Sequence, residues 1–235
     1  METQAQHAER GSSPDDGAEP RFARPRGLFA GVLEGPWRRA GLGGLVLLVA
    51  LLLLSTFVAQ PFLIPSGSME PAMRDGDRVL VNKVAYRFGS EPERGDAVVF
   101  DGAGSFVPEG TSGADYVKRV VGVGGDRVVC CDEDGRIAVN GRSLDETQLK
   151  PGDAPSRVDF DIVVPEDRLF VLGDHRSASR DSRDHLGEPG GGMVPVDRVV
   201  GRADWIVWPA DRWTSLERPR AYAEVPDPDP GGGRG

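Results

Sequence analysis

From position 40 to 59 about 20 residues pass without a charge, dominated by Leu45, Leu47, Leu48, the four leucines at 51–54, Phe57 and Val58. As a helix such a run spans a hydrocarbon core of roughly 30 Å. It has no polar stripe that could face water while the opposite side packs on a core. A cleaved secretory signal should carry a shorter apolar region, about 7–15 residues, ending at small residues. The sequence Val58-Ala59-Gln60-Pro61 is a poor site of that kind. The run therefore reads as an uncleaved transmembrane signal-anchor over 37–59. Basic residues favour the cytoplasmic side of a span. Arg21, Arg24, Arg26, Arg38 and Arg39 precede it, whereas only Arg74 follows closely, among Glu70, Asp75 and Asp77. The amino terminus is expected in the cytoplasm and everything after Gln60 on the extracytoplasmic side of the cell membrane.

Outside the anchor the chain divides by composition. Residues 1–36 hold too few large apolar side chains for a core and read as a disordered cytoplasmic tail. The stretch 221–235, with its Pro-Asp repeats and glycines, reads as a second disordered tail. Residues 60–220 are long enough for one folded domain. The net charge of −9, from 28 basic and 37 acidic residues, and the absence of a basic block outside the membrane argue against nucleic acid as a partner. Cys130 and Cys131 are adjacent, so a bond between them would be strained, although an oxidising exterior permits it or an intermolecular one. No Cys/His spacing suggests a metal, and no cofactor is expected.

Beyond Pro71 short β-branched runs alternate with turn residues. Strands are expected at 79–81, 97–100, 116–123, 127–130, 137–139, 169–172 and 205–208. Turns are expected at 74–77, 124–126 and Asp134-Gly135, with a polar loop over 101–115. The expectation is an all-β extracytoplasmic catalytic domain behind one membrane helix, with a small inserted lobe over 133–167.

Two stretches carry candidate chemistry. Ser66 and Ser68 lie in the turn-prone Pro65-Ser66-Gly67-Ser68-Met69-Glu70-Pro71 just past the anchor. Fifty positions on, Lys118 and Arg119 are adjacent within an apolar strand, and must meet different environments because neighbours on a strand face opposite ways. A lysine stripped of water there has a lowered pKa. From a starting value near 10.4 a fall of roughly 2–3 units would make it a useful base at neutral pH. The loop 173–183 follows, with Asp181 and Arg183 able to pair and Ser179 able to bond to a buried amine.

Together these stretches resemble bacterial type I signal peptidase, the membrane-anchored serine protease that removes signal peptides from exported proteins. Four blocks stand in that family's order, at 65–71, 94–100, 118–126 and 173–183, and Val200-Gly201-Arg202-Ala203 follows. The resemblance implies Ser68 as nucleophile, Lys118 as general base and Ser179 as the group orienting its amine. It implies an oxyanion hole from the Ser68 N–H and the Ser66 hydroxyl, with Asp174, Asp181 and Arg183 supporting the loop. Phe62, Ile64, Met69, Tyr116 and Val117 match pocket positions that in the family admit only small side chains, from a substrate bound as an added strand. The implied partners are signal peptides of exported preproteins and membrane lipid. His175 stands where the family usually has Asn. A Ser68–His175 pair is the alternative, but in the histidine-dependent relatives histidine replaces the strand lysine, and here Lys118 is present.

Other readings are weaker. The tripeptide Arg94-Gly95-Asp96 is read as a strand-opening turn. The run 132–135 lacks the further oxygen ligands of a calcium loop, and Asp181, Asp184 and His185 are read as a polar loop and not a metal site. Trp205, Trp208 and Trp213 would suit either the membrane interface or ordinary packing. A catalytically silent membrane-anchored β-domain, serving the export machinery as a binding module, remains the alternative function. A self-cleaving repressor protease shares the Ser–Lys logic but would carry a DNA-binding region in place of the span.

Overall fold

The computed structural model describes residues 36–111 and 115–228. The expected tail over 1–36 therefore falls almost wholly outside the described residues, as does part of the expected loop over 101–115. The chain divides into two units, Met1–Leu48 and Val49–Gly235. The described part of the first is helical.

Helix α1, Pro36–Phe57, is the one described helix long and apolar enough to cross a membrane, and its leucines are exposed throughout. At about 1.5 Å per residue its 22 residues match a hydrocarbon core. A helix end leaves carbonyls without partners and carries partial negative charge, and the last turn of α1 has no basic residue of its own. Lys83 supplies both needs: its Nζ donates to the Thr56 carbonyl at 2.9 Å, and its backbone N–H donates to Val58 O at 2.8 Å.

The second unit is built on antiparallel sheet. Strands β1 (Ala59–Leu63), β2 (Arg78–Asn82), β3 (Ala97–Asp101), β4 (Asp115–Gly122), β9 (Arg168–Leu172), β10 (Val194–Pro195) and β11 (Val199–Trp208) lie in the order β1-β2-β11-β3-β4-β9-β10, with β12 (Thr214–Ser215) on β11. β3 shows why the centre reads as an unbroken apolar run: successive side chains face opposite ways, and here both faces are covered. Val99 packs with Ile64, Met69, Met73, Val79 and Val81 on one side, while Val98 and Phe100 pack with Val120, Leu169 and Val171 on the other. A second sheet, in the order β7-β6-β5-β8, comprises β5 (Arg127–Cys130), β6 (Ile137–Val139), β7 (Arg142–Ser143) and β8 (Phe160–Val163). The lobe expected over 133–167 thus takes its first strand from upstream of 133. Its core joins Val128, Ile137, Val139 and Phe160 to Val121, Phe170 and Leu172 of the first sheet. Cys130 and Cys131, at the end of β5, are bonded to each other.

The disorder expected over 221–235 needs correcting for 221–228. Arg220–Glu224 form a 3-10 turn, and Tyr222 and Val225 are 3% and 8% exposed within the second core. Tyr222 fits because Gly95, at φ +87°, has no side chain: a Cβ there would come within 3.2 Å of the Tyr222 ring. Arg218 fastens the same segment to Asp96 at 2.5 Å. Residues 229–235 lie outside the described residues.

Candidate active site

The serine turn begins where β1 ends. Ile64 is 2% exposed, and its backbone N–H donates to Asp77 O at 2.8 Å while its carbonyl accepts from Gly76 N at 2.9 Å. The chain then rises through Pro65 and an extended Ser66 into one 3-10 turn, Gly67–Met69, anchored by the buried Met69. Ser68, in the middle of that turn, stays part-exposed.

Lys118 lies in the middle of β4, paired with Val98 of β3, and is 4% exposed. Its Nζ donates to Ser68 Oγ at 2.8 Å, across 50 positions of sequence. Burial pushes the Lys118 amine from 10.5 down to about 8; Asp181 and Asp174 oppose that fall and the Arg183 guanidinium assists it. Desolvation wins because the ammonium loses water on all sides while neither carboxylate is bonded to it. Once the amine is neutral, the same short contact can run the other way, from the Ser68 O–H to the nitrogen lone pair. That arrangement has the geometry that a hydroxyl nucleophile and its base require.

The opposite face of β4 answers the question of the adjacent cations. Arg119 is also 4% exposed, but it stays charged in a bidentate pair with Asp174 at 2.7 and 2.6 Å, with a third bond to Gly95 O at 2.7 Å. A buried guanidinium needs such a partner. Lys118 has none, and the difference leaves it as the titratable member of the pair.

The loop after β9 is held by its own carboxylates. Asp181 receives Arg183 through Nε and a terminal nitrogen, both at 2.8 Å, and receives the Gly173 N–H at 3.0 Å. Its N–H in turn donates to Asp184 at 3.0 Å, forming a capping box on the turn Ser182–His185. Arg183 reaches back to the Arg176 carbonyl at 2.9 Å. Asp184 is therefore taken by a cap, and His185 pairs with Glu188 at 2.9 Å while stacking on Phe106 at 4.8 Å. Among the described residues no three or more His, Cys, Asp or Glu side chains gather as a metal site.

The remaining expected site residues fall as follows. Ser66 Oγ donates to Ser68 Oγ at 3.3 Å. Ser179 is 8% exposed beside them, but its Oγ has no hydrogen-bond partner among the described residues and does not reach Lys118. Phe62, Ile64, Met69 and Val117 share one apolar cluster. Tyr116 belongs to another, stacked on Phe100 at 5.9 Å and edge-on to Phe106 at 5.2 Å.

His175, weighed above as an alternative partner of Ser68, and Gly173, not singled out in the sequence, both help to shape the site. His175 contacts the backbone of the serine turn and not Ser68 Oγ: its N–H donates to Ser68 O at 3.0 Å and its Nδ1 lies 3.1 Å from Gly67 O, which makes Nδ1 the protonated nitrogen. Gly173 lies so close that a Cβ there would stand 2.3 Å from Ser179 Oγ and 2.5 Å from Ser68 O. Gly173 is visible in the sequence only as a turn former, and nothing local signals the approach.

Comparison with known proteins follows the same residues. A family model described as signal peptidase, peptidase S26, matches residues 37–208. A signal peptidase I from Mycobacterium tuberculosis (strain ATCC 25618 / H37Rv) is 38% identical over 203 residues, covering 67% of this chain and 68% of that protein. A signal peptidase IB from Staphylococcus aureus (strain COL) is 34% identical over 180 residues, covering 70% of this chain and 85% of that protein. Among solved structures, a signal peptidase I from Enterococcus faecalis V583 matches 48% of this chain and 96% of its own at 28% identity, with a TM-score of 0.35.

Proposed function

This chain belongs to the signal peptidase family, peptidase S26, and is a serine peptidase; from that premise we propose that it cleaves signal peptides from exported preproteins with Ser68 as nucleophile and neutral Lys118 as general base. The observation that carries this reading is the 2.8 Å contact between Lys118 Nζ and Ser68 Oγ, with the amine lowered to about 8 by burial. In the forward step Lys118 takes the Ser68 proton as Oγ attacks the scissile carbonyl. The tetrahedral oxyanion is held by the Ser68 N–H and the Ser66 hydroxyl. The protonated lysine then gives its proton to the leaving amine, which departs as the mature protein's new amino terminus. The acyl-enzyme is hydrolysed when the same amine, neutral again, takes a proton from water.

The cluster of Phe62, Ile64, Met69 and Val117 beside Ser68 supports a preference for small side chains before the cut. Asp174, Asp181 and Arg183 hold the loop behind Lys118, and Ser179, whose buried Oγ is without a partner among the described residues, is the group proposed to orient the Lys118 amine. Helix α1 anchors the enzyme in the cell membrane, with its amino terminus cytoplasmic and the catalytic unit outside, as the basic residues before the span favour. No specific observation favours the binding-module alternative, since both reacting groups are present and in contact.

The test is processing of a purified preprotein by the detergent-solubilised full chain, with the new amino terminus read by mass spectrometry. The expected result is one cut, after a small residue placed two positions beyond another. No cleavage, or cleavage after large residues, would contradict the reading. A separate expectation concerns Gly173. Because a methyl there displaces Ser68 and Ser179 together, Gly173→Ala is expected to lower kcat about 10²-fold, the scale of a 1 Å misplacement. Steady-state kinetics on the same preprotein measure it, and unchanged kcat would contradict it.

A further inference from the structure

The connection 145–155, between β7 and β8, has no strand of its own, yet its polar groups bond to both loops that flank Ser68. Glu146 forms a buried pair with Arg176 at 2.9 and 2.5 Å, and Arg176 donates onward to the Gly173 carbonyl at 3.0 Å. Asp153 receives the Ser177 N–H at 3.0 Å and its hydroxyl at 2.7 Å. Lys150 alone touches both loops. Its backbone N–H donates to Asp174 O at 3.1 Å, and its Nζ donates to Glu70 Oε2 at 2.7 Å.

Glu70 stands two residues past Ser68, and its other oxygen lies 3.1 Å from where a Cβ on Gly67 would be. The carboxylate thus lies along the serine turn and couples it to Lys150. The turn is short and has one buried side chain, Met69, so its position depends on such outside contacts.

We propose that Lys150 is a positioning residue that, through Glu70 and the Asp174 carbonyl, holds the Ser68 turn in hydrogen-bond reach of Lys118. The inference rests on the Ser68–Lys118 reading above and adds the lobe connection as a brace for it. The ordinary alternative is a surface ion pair, and the two differ in what they predict. The Lys150 and Glu70 side chains are 37% and 29% exposed, so the pair contributes little to folding stability. A positioning role therefore shows in turnover without showing in unfolding.

The test is a charge exchange in the full chain in detergent: Lys150→Glu, Glu70→Lys and the double variant, each assayed on a preprotein and melted, with Ser68→Ala alongside. Each single variant is expected to lower kcat about tenfold at unchanged KM, as a sub-ångström displacement would, while the unfolding midpoint moves by no more than about 2 °C. The double variant should recover most of the loss, because the pair is restored with its signs exchanged, and Lys150→Arg should retain activity. Single variants at wild-type kcat, or a double variant no better than the worse single one, overturn the brace. With Ser68→Ala dead, that outcome leaves the Ser–Lys reading intact. A Ser68→Ala chain that still cleaves overturns both, since no contact then needs positioning.

Discussion

Lys118→Met and Ser68→Ala are each expected to lower kcat/KM by at least about 10⁴-fold, and the double substitution is expected to lose no more than either alone, because a nucleophile and its base act as one unit. The geometry behind this is the single 2.8 Å contact between the two side chains, with no second base in reach of Ser68 Oγ among the described residues. His175 offers the informative comparison. Its ring bonds to the Gly67 carbonyl, and its backbone N–H bond to Ser68 O survives truncation. His175→Ala should therefore lose only about tenfold, from a loosened turn. Preprotein cleavage by purified variants measures all four. A dead His175→Ala beside an active Lys118→Met would mean that the base has been misassigned.

The second large effect is on pH dependence. The Lys118 amine falls from 10.5 to about 8 on burial, and only the neutral amine can act as base. Cleavage should therefore rise with pH through a midpoint near 8 and level off above it. Stability should move in the same direction. Between about 8 and 10.5 the unfolded chain binds the lysine proton and the folded chain does not, so folding becomes more favourable as pH rises through that window. Below 8 both states hold the proton, and the folded state carries the full burden of a buried ammonium. A fall from 10.5 to about 8 corresponds to about 3 kcal/mol. Lys118→Met, which keeps the length of the side chain without its charge, should therefore be inactive yet more stable than wild type at pH 7. Urea unfolding in detergent and a pH–rate profile check the two halves. A rate still climbing steeply at pH 10 would show that the amine is not desolvated.

The proposed reacting residues, brought into contact by the fold, were legible because each sits in a short block with strong local character: a serine in a turn after an apolar run, and a lysine inside a β-branched strand. The central strands were legible for a related reason, since β3 and β4 are covered on both faces and read as apolar runs. What escaped depends on partners distant in sequence. β1 holds Pro61 and follows α1 after Val58 alone, so it showed neither alternation nor a boundary. β8 lies in a polar stretch where only Phe160 is buried. Glu146 and Arg176 look like ordinary surface charges until the fold joins them across 30 positions. The expected link from Ser179 to Lys118 is not formed, and Ser179 Oγ has no partner among the described residues; such side-chain geometry is encoded by no sequence pattern.

The segment carrying Tyr222 has a consequence for the order of events in synthesis. Its hydroxyl donates to Glu146 at 2.9 Å, and Glu146 holds Arg176, which holds the carbonyl of Gly173, the glycine packed against Ser68 and Ser179. Tyr222 leaves the ribosome after every one of those residues. A nascent chain threaded only as far as Arg183 contains Ser68, Lys118 and the whole loop, but the buried charges beneath that loop still lack their aromatic cover. The contacts beneath the loop are therefore complete only once the chain has been made through β11 and on to Tyr222.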